Sequence, residues 1–370
     1  MLRNKVVILS MLLFTLFFNA QNQNKATKFS DPAAPVGDKT LTVPDVVRPV
    51  MDIWMRDTYV TQGPNGNYFM IGTTANKGKV VPEKVKYGDY NSGLFLWKSK
   101  NLKKWDSLGI IWSFKNDAES WQKKGKPVKG KDSNLVYRAL WAPELHYIKS
   151  KETWLLTASL NGNQGSFVLK SISGKPEGPY ENIAGNSTNP IFDDIDLSIF
   201  EDANGDVYLV AHNHFIAIMK DDLTDIAEPF KRLGETPFNP EPYIEGAYLI
   251  KYNNKYHLLQ TVWSVKQKDG TYTYLRKGDK NLHSYDVVIA SADNIYGPYG
   301  PRYTAIIEGG HNNLFQDIEG NWWSTTFFNP RGIKGKEFEV TCRPALVPVK
   351  WVKNKLKPDL ERAKQFYDSF

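Results

Sequence analysis

A hairpin pattern that occurs five times along the chain is the feature that most constrains the fold. Each copy has a short apolar strand, a tight polar turn and a second strand rich in aromatic residues. Polar turns of the Asn-Gly type between such runs are typical of β-hairpins. The five predicted turns lie at residues 65–67, 150–152, 204–206, 253–255 and 319–321.

Further strands extend these hairpins into larger units. Third strands are predicted at 94–99, 167–171, 216–220 and 287–291, and an outer strand near 105–112. Repeated units of three or four antiparallel strands are typical of propeller blades. The sequence therefore predicts an all-β fold, a single-domain five-bladed β-propeller. The alternative, a β-sandwich with irregular hairpins, does not account for the fivefold repetition.

The two ends of the chain carry different signals. Residues 343–352 alternate like a strand that completes a blade and closes the ring, and 359–367 have the period of a short helix. At the other end, Arg3 and Lys5 precede an apolar run over 6–18 that finishes near Ala20. This layout is typical of a secretory signal peptide, and the run is short for a membrane anchor, which is the alternative.

These signals predict three parts: a signal peptide at 1–20, a polar tail or linker at 21–43, and a catalytic propeller domain at 44–370. We expect a secreted or periplasmic protein with no membrane span after signal removal. The net charge of +7 is carried by scattered lysines, whereas a nucleic-acid surface would cluster them, so no nucleic-acid partner is expected. The single cysteine, Cys342, excludes a disulfide within the chain and is predicted to be a small buried apolar residue.

One polar residue stands near the start of each predicted first strand. In a propeller the first strands line the central channel, so these side chains are predicted to converge there. Carboxylates that share a site disturb each other's titration. Glycoside hydrolysis uses that condition, because it needs one protonated and one ionised carboxyl group. The five residues are Asp57, Glu144, Asp196, Glu245 and His311.

Four stretches around these residues resemble glycoside hydrolase family 43 and its clan of five-bladed propellers. They are Trp-Ala-Pro-Glu-Leu-His-Tyr at 141–147, the strand and turn at 196–209, the Glu-Gly hairpin at 245–256, and Gly-His-Asn at 310–312. Their order and their placement in the repeats match the family over about residues 44–358. The resemblance therefore implies a family fold and activity for nearly the whole chain after the predicted tail.

The resemblance also implies catalytic roles. Asp57 falls at the general base, Glu245 at the general acid, and Asp196 at the aspartate that orients the acid and keeps it protonated. The family has proline after the first aspartate, where this chain has Thr58. Asp52 is the nearest alternative to Asp57.

Five further residues are candidates for substrate binding. Trp141 begins the family's tryptophan motif near the pocket, and Arg343 matches a family arginine loosely. Glu144 is either a channel residue or a structural partner, and Trp263 either stacks on a sugar or packs. His311 falls where the family has a channel histidine, in some members beside a metal ion or a water molecule.

The chemistry predicted from carboxylates alone requires no cofactor. Calcium or another hard cation in the central channel would be held mostly by water, with His311 in contact through a water molecule. His212 and His214 share a sheet face, as a metal pair or as a surface or channel-edge pair.

Together these features predict a secreted glycoside hydrolase. The resemblance to family 43 implies that it inverts configuration, that it is of the α-L-arabinofuranosidase or β-D-xylosidase type, and that its partner is an oligo- or polysaccharide of plants or algae. One alternative is a non-catalytic carbohydrate-binding propeller, which the presence of all three carboxylates disfavours. The other is a clan relative that acts on galactan or anhydro-galactose units.

Overall fold

A computed structural model describes residues 46–75, 91–124, 139–234, 241–279, 282–328 and 342–370. The predicted signal peptide and tail lie outside the described residues. Within them, no helix is long and apolar enough to cross a membrane.

The described strands form five antiparallel sheets, each built from consecutive segments of the chain. The prediction of a five-bladed β-propeller is confirmed. Blade 1 contains β1 (Met55–Gln62), β2 (Tyr68–Thr74), β3 (Gly93–Ser99) and β4 (Asp106–Ser113). Blade 2 contains β5 (Leu140–Ile148), β6 (Thr153–Leu160), β7 (Ser166–Ser171) and β8 (Tyr180–Asn182). Blade 3 contains β9 (Leu197–Glu201), β10 (Val207–Ala211), β11 (Phe215–Ile218) and β12 (Lys231–Arg232).

Blade 4 is the largest sheet. It contains β13 (Ile244–Tyr252), β14 (Lys255–Lys266), β16 (Leu282–Ala292) and β17 (Tyr303–Ile306), and β15 (Tyr272–Tyr274) pairs with the end of β14. The sequence pattern predicted only 287–291 of β16 and missed β15. Blade 5 contains β18 (Leu314–Gln316), β19 (Trp322–Phe328), β20 (Arg343–Val352) and β21 (Lys355–Pro358), and is followed by helix α1 (Leu360–Asp368).

The predicted hairpin turns occur where the local sequence allows left-handed backbone. Asn253 and Asn254 connect β13 to β14 with φ of 50° and 60°, and positive φ at both central residues is what a tight type I′ turn requires. Gly205 closes the turn of blade 3 with φ of 90°, and its N–H donates to the carbonyl of Asp202 at 2.9 Å. These turns all lie at the end of the blades away from the predicted catalytic residues.

The ring closes between the first and last blades. Pro49 forms a bridge with Ala345 of β20, and the N–H of Val50 donates to the Pro344 carbonyl at 2.9 Å. Helix α1 covers this seam, because the Tyr367 hydroxyl donates to the Leu346 carbonyl at 2.8 Å. The prediction that 343–352 completes a blade is confirmed, and the segment before β1 supplies the contact that joins that blade to the first.

Apolar side chains from neighbouring sheets fill the spaces between blades. Cys342 is one of them: it is fully buried with Trp54, Tyr285 and Phe327. A thiol in such surroundings acts as a small apolar residue, as predicted.

Candidate active site

The inner strands are irregular at one end of the channel. Bulges interrupt the pairing of β1 with β2, β5 with β6, and β13 with β14, in each case beside a predicted site residue. Bulges are common next to active sites because they redirect side chains out of the alternating pattern. Every blade also has a left-handed residue at this point: Asp57, Ala142, Asp196, Gly246 and Gly310, with φ between 42° and 65°.

Asp57 is held by Thr73 of the neighbouring strand β2, and Thr73 is in turn held by blade 2. The Thr73 hydroxyl donates to its Oδ2 at 2.6 Å, and the same hydroxyl accepts the N–H of Ala142 from blade 2 at 2.7 Å. The side chain is 15% exposed, so water can reach it. An oriented and accessible carboxylate has the geometry that a general base needs.

Asp52, the alternative base, lies in a different environment. Its side chain is 93% exposed, and Arg343 Nε donates to its Oδ1 at 2.8 Å. Arg343 also donates to the carbonyl of Cys342 at 3.0 Å. The exposure of Asp52 and its ion pair with Arg343 favour Asp57 over Asp52 as the base.

Asp196 is the most buried of the three carboxylates. It lies just before β9; its N–H donates to the Ser159 hydroxyl at 2.9 Å, and its Oδ2 accepts the N–H of Gly246 at 3.0 Å. Burial raises the pKa of Asp196 to about 8, and the charges of Glu245 and Asp57 add to the increase while His311 opposes it. Asp196 is therefore the carboxyl group of this site that burial favours in the protonated form.

Glu245 receives hydrogen bonds from two tyrosines. The Tyr285 hydroxyl donates to its Oε1 at 2.6 Å and the Tyr243 hydroxyl to its Oε2 at 2.9 Å. Burial, then the charge of Glu245, raises the pKa of Tyr285 far above its usual value, so this hydroxyl stays a donor. Trp263 stacks on Tyr285 with 4.4 Å between ring centroids and 17° between planes. Trp263 therefore packs against Tyr285, the hydrogen-bond donor to Glu245. Packing is thus one role of Trp263, with or without a sugar on its other face.

His311 lies between the carboxylates. Its Nδ1 is 3.7 Å from Asp57 Oδ1, and its ring packs against Gly246. Burial lowers its pKa, but the charges of Asp196, Asp57, Glu144 and Glu245 outweigh burial and raise the pKa overall. His311 precedes β18 rather than starting it, because the first strand of blade 5 begins only at Leu314. The raised pKa favours the protonated, positively charged form of His311, which offsets part of the negative charge of the site.

Glu144 lies near Asp57 and His311 in the channel. Its Oε2 is 2.8 Å from His146 Nε2, and His146 Nδ1 is 3.2 Å from the Tyr59 hydroxyl. Glu144 also lines one small cavity together with Asp57 and His311. Both readings left open by the sequence therefore hold: Glu144 faces the channel and has a structural partner.

Trp141 lies half-buried on β5, where it pairs with Ser159, the residue that holds the Asp196 backbone. His212 acts through its backbone, because its N–H donates to the Asp196 carbonyl and its carbonyl accepts from Ala247, both at 2.9 Å. In the described part of the chain no three or more His, Cys, Asp or Glu residues form a group that could hold a metal ion.

Gly246 is the point at which these contacts meet. A Cβ there would lie 2.8 Å from Thr261 Oγ1 and 3.0 Å from His311 Cδ2, at a φ of +65°. We expect Gly246→Ala to lower kcat by on the order of tenfold to a hundredfold, since small displacements of reacting groups are costly. Gly109→Ala is the matched control: φ is +82° but nothing lies within 4 Å. Equal losses of activity in the two variants would contradict the proposed contact with His311.

Burial of Asp196 also predicts a stability effect. A pKa raised from 3.8 to about 8 means that the folded state binds an extra proton between these values, so Asp196 costs stability as the pH rises from 4 to 8. Asp196→Asn should therefore gain melting temperature over the unmodified protein across that range. The measurement is thermal unfolding at pH 4, 6 and 8.

Asp202→Asn provides a control of opposite sign. Burial opposes the shift, but hydrogen bonds from Lys251 and Tyr256 outweigh it and lower the pKa of Asp202. Its carboxylate stabilises the protein above the usual aspartate pKa and loses this contribution only below it, so the variant should be less stable than the parent by nearly the same margin at pH 6 and pH 8. A stability gap between Asp196→Asn and the parent that does not change with pH would contradict the assigned burial.

With this geometry established, known proteins can be compared. The family model described as glycosyl hydrolases family 43 matches residues 46–356. The chain belongs to glycosyl hydrolase family 43. The resemblance inferred from the four motifs is thereby confirmed, and the chain is a glycoside hydrolase by family. Membership also disfavours the alternative of a non-catalytic binding propeller.

Relatives within family 43 differ in their named activities. A β-D-galactofuranosidase of Aspergillus niger, xynD, is 28% identical over 227 residues, which are 55% of this chain and 61% of that protein. The chain thus spans about three fifths of the length of this curated relative.

Solved family 43 structures share the fold at low identity. The endo-1,4-β-xylanase of Bacteroides thetaiotaomicron has a TM-score of 0.56 at 21% identity and covers 85% of this chain and 96% of that one. CoXyl43, a β-xylosidase/α-arabinofuranosidase from a compost metagenome, has a TM-score of 0.58 at 17% identity and covers 84% and 96%. BlXynB of Bacillus licheniformis has a TM-score of 0.58 at 21% identity and covers 85% and 56%.

Four site residues were not identified from the sequence. Thr73, Tyr243 and Tyr285 hold the carboxylates, and Arg56 immediately precedes Asp57. Thr73 and Tyr285 lie on other strands than the carboxylates that they hold, and Tyr243 lies two residues before Glu245 in no recognisable motif. The Arg-Asp pair at the start of β1 was the one feature that could have pointed to Arg56.

Proposed function

We propose that this protein hydrolyses α-L-arabinofuranoside or β-D-xyloside linkages in plant or algal polysaccharide, with inversion at the anomeric carbon. The observation that carries the proposal is the convergence of Asp57, Asp196 and Glu245, which come from three different blades to one end of the channel. Gly246 joins two of them, because it follows Glu245 in the chain and donates to Asp196.

The proposed mechanism is a single displacement. Asp57 removes a proton from a water molecule as its oxygen attacks the anomeric carbon. Glu245, held by Tyr243 and Tyr285, gives its proton to the glycosidic oxygen as that bond breaks. Asp196 accepts the N–H of Gly246, the residue that follows Glu245, and so helps to fix the backbone that carries the acid. The reaction needs no cofactor.

A second candidate is β-D-galactofuranoside hydrolysis, favoured by the relative of that name. β-D-Galactofuranose and α-L-arabinofuranose share the configuration of the ring hydroxyls and differ by the additional hydroxymethyl group of the hexose. One pocket could therefore accept both sugars. Galactan and anhydro-galactose linkages remain the other sugars to be included in the test.

A substrate screen tests the proposal. Nitrophenyl α-L-arabinofuranoside, β-D-xyloside and β-D-galactofuranoside would be compared with arabinan, xylan and galactan, and the first anomer released would be identified by NMR. The proposal expects turnover of the first two glycosides and release of the inverted anomer. Turnover of the galactofuranoside alone would favour the second candidate, and a retained anomer would contradict the single displacement.

We also propose that the protein is exported, with mature protein beginning near Gln21. The support is the charged, apolar and small-residue order of residues 1–20. N-terminal sequencing of protein recovered outside the cytoplasm tests this. Recovery of intact Met1 in the membrane fraction would contradict it.

A further inference from the structure

One wall of the site is a ladder of aromatic rings that ends in a guanidinium group. Trp263 stacks on Tyr285, and the Tyr285 ring lies 6.1 Å from that of Phe327 at 47°. Beyond Phe327, Arg56 Cζ lies 4.8 Å from the ring centroid. Four strands supply this wall: β14, β16, β19 and β1. At one end Tyr285 holds Glu245, and at the other Arg56 precedes Asp57, so the ladder connects the proposed acid with the proposed base.

Arg56 is a permanent cation within the field of both carboxylates. Burial lowers its pKa, but the charges of Asp57, Cys342, Tyr285 and Glu245 outweigh burial and raise the pKa overall. A guanidinium has five N–H donors and no acceptor. Arg56 Nε is buried and has no hydrogen-bond partner among the described residues. Buried donors are normally paired, so this one requires an explanation.

Other arginines of the chain show what a structural role looks like here. Arg302 Nε donates to Gln260 Oε1 at 2.8 Å, and its Nη2 is 2.7 Å from Glu241 Oε1. Arg362 lies 5.0 Å above the Trp323 ring and also donates to the carbonyl of Trp322 at 3.3 Å. Arg56 has the ring contact without such a hydrogen bond. Phe327 fixes the plane of its guanidinium and leaves the donors for a ligand.

We propose that Arg56 binds the ring hydroxyls of the glycon, the sugar whose anomeric carbon is attacked. Hydroxyl oxygens accept hydrogen bonds, and the planar fork of a guanidinium suits two neighbouring acceptors. The carboxylates of Asp57 and Glu245 offset the charge of Arg56, so the pocket selects a neutral sugar over a uronic acid. This inference rests on the proposed function and adds the residue that recognises the glycon.

Arg56→Met and Arg56→Lys test the assignment. Loss of a charge-assisted hydrogen bond is expected to raise KM by about tenfold to a hundredfold in Arg56→Met, with a smaller change in kcat. Arg56→Lys keeps the charge but not the fork and should recover only part of the loss. Arg362→Met is the matched control, because it removes a ring-stacked arginine away from the site and should leave KM unchanged.

Two outcomes would overturn the proposal. An unchanged KM in Arg56→Met would assign Arg56 to packing, and full recovery in Arg56→Lys would assign it to charge alone. Circular dichroism and melting temperature establish that the variants fold. Should Arg56→Met not fold, the comparison between Arg56→Lys and the parent, together with the deoxy series below, still decides the question.

Deoxy sugars identify the contact directly. A glycoside that lacks the contacted hydroxyl should bind the parent protein about tenfold or more weakly, yet lose little further affinity in Arg56→Lys or Arg56→Met. If every monodeoxy sugar loses the same factor of affinity in the Arg56 variants as in the parent protein, Arg56 contacts none of the hydroxyls and the proposal fails.

Binding can be measured separately from hydrolysis. Calorimetry on Glu245→Gln, with oligosaccharides of arabinan, xylan and galactan, gives affinities with and without Arg56→Lys. If the unmodified protein hydrolyses none of the substrates but sugar binding to Glu245→Gln weakens when Arg56 is replaced, the proposed function is refuted and this inference stands. Hydrolysis with binding that ignores Arg56 would do the reverse, and absence of both would refute both.

Discussion

Asp57→Asn is expected to lower kcat/KM by about 10² to 10⁴ on every substrate that the protein hydrolyses. The amide cannot take a proton from the attacking water, and each substrate needs that water regardless of its leaving group. The change keeps size and shape, so the hydrogen bond from Thr73 can persist with Asn at this position. Steady-state kinetics on aryl glycosides and on a natural oligosaccharide provide the measurement.

Asp52→Asn is the matched control for this experiment. It makes the same chemical change five residues earlier, at a side chain that is 93% exposed and paired with Arg343. Exposed ion pairs contribute little, so activity and stability should stay close to those of the parent. A loss below about tenfold for Asp57→Asn, or a larger loss for Asp52→Asn, would show that the base was assigned to the wrong residue.

The propeller could be predicted because its signals are local and repeated. The Asn-Gly turns and the alternation of 343–352 each depend on a few neighbouring residues, and β20 occupies that same range. Strand β15 and the extension of β16 were missed because Tyr272–Tyr274 and the start of β16 are paired by tertiary contact with β14. Helix α1 was predicted to within one residue at each end, since its apolar spacing and its N-cap Asp359 are both local.

The positions of the site residues could be predicted, but their environments could not. Strand starts pointed to Asp57, Glu144 and Glu245 because inner strands line a channel. Their partners come from other strands or blades, as Thr73 does for Asp57 and Tyr285 for Glu245. The hydrophobic periodicity of the sequence does not indicate such contacts. It also does not indicate the bulges that turn these side chains inward.

The location of the proton was the least predictable feature. The sequence suggested that Asp196 acts through its negative charge on Glu245. Burial instead raises the pKa of Asp196 itself to about 8, so this carboxyl holds a proton at neutral pH when considered alone. Gly246, which follows Glu245, donates to Asp196, so a proton on Asp196 changes the electrostatic field around the proposed acid. We expect Asp196→Asn to shift the alkaline limb of the pH–rate profile and to slow turnover.

Glu245→Gln should lower kcat/KM by about 10² to 10⁴ on natural oligosaccharides, because a sugar alkoxide is a poor leaving group that needs a proton. On dinitrophenyl glycosides the loss should be much smaller, since these phenolates leave without protonation. The alkaline limb of the pH–rate profile should also flatten for the activated substrates. Glu228→Gln, at a largely exposed carboxylate that pairs with Lys231, is the control and should change neither series.

The dependence on leaving group separates Glu245 from Asp57. A plot of log kcat/KM against leaving-group pKa should steepen in Glu245→Gln and keep the slope of the parent in Asp57→Asn, because loss of the base slows the attack of water on every substrate alike. Tyr285→Phe should fall between the parent and Glu245→Gln, because it removes the donor at 2.6 Å that orients the acid but leaves the acid itself. Parallel plots for Glu245→Gln and the parent would mean that another group protonates the leaving oxygen, and Asp196, the buried carboxyl joined to Glu245 through Gly246, would then be the residue to test.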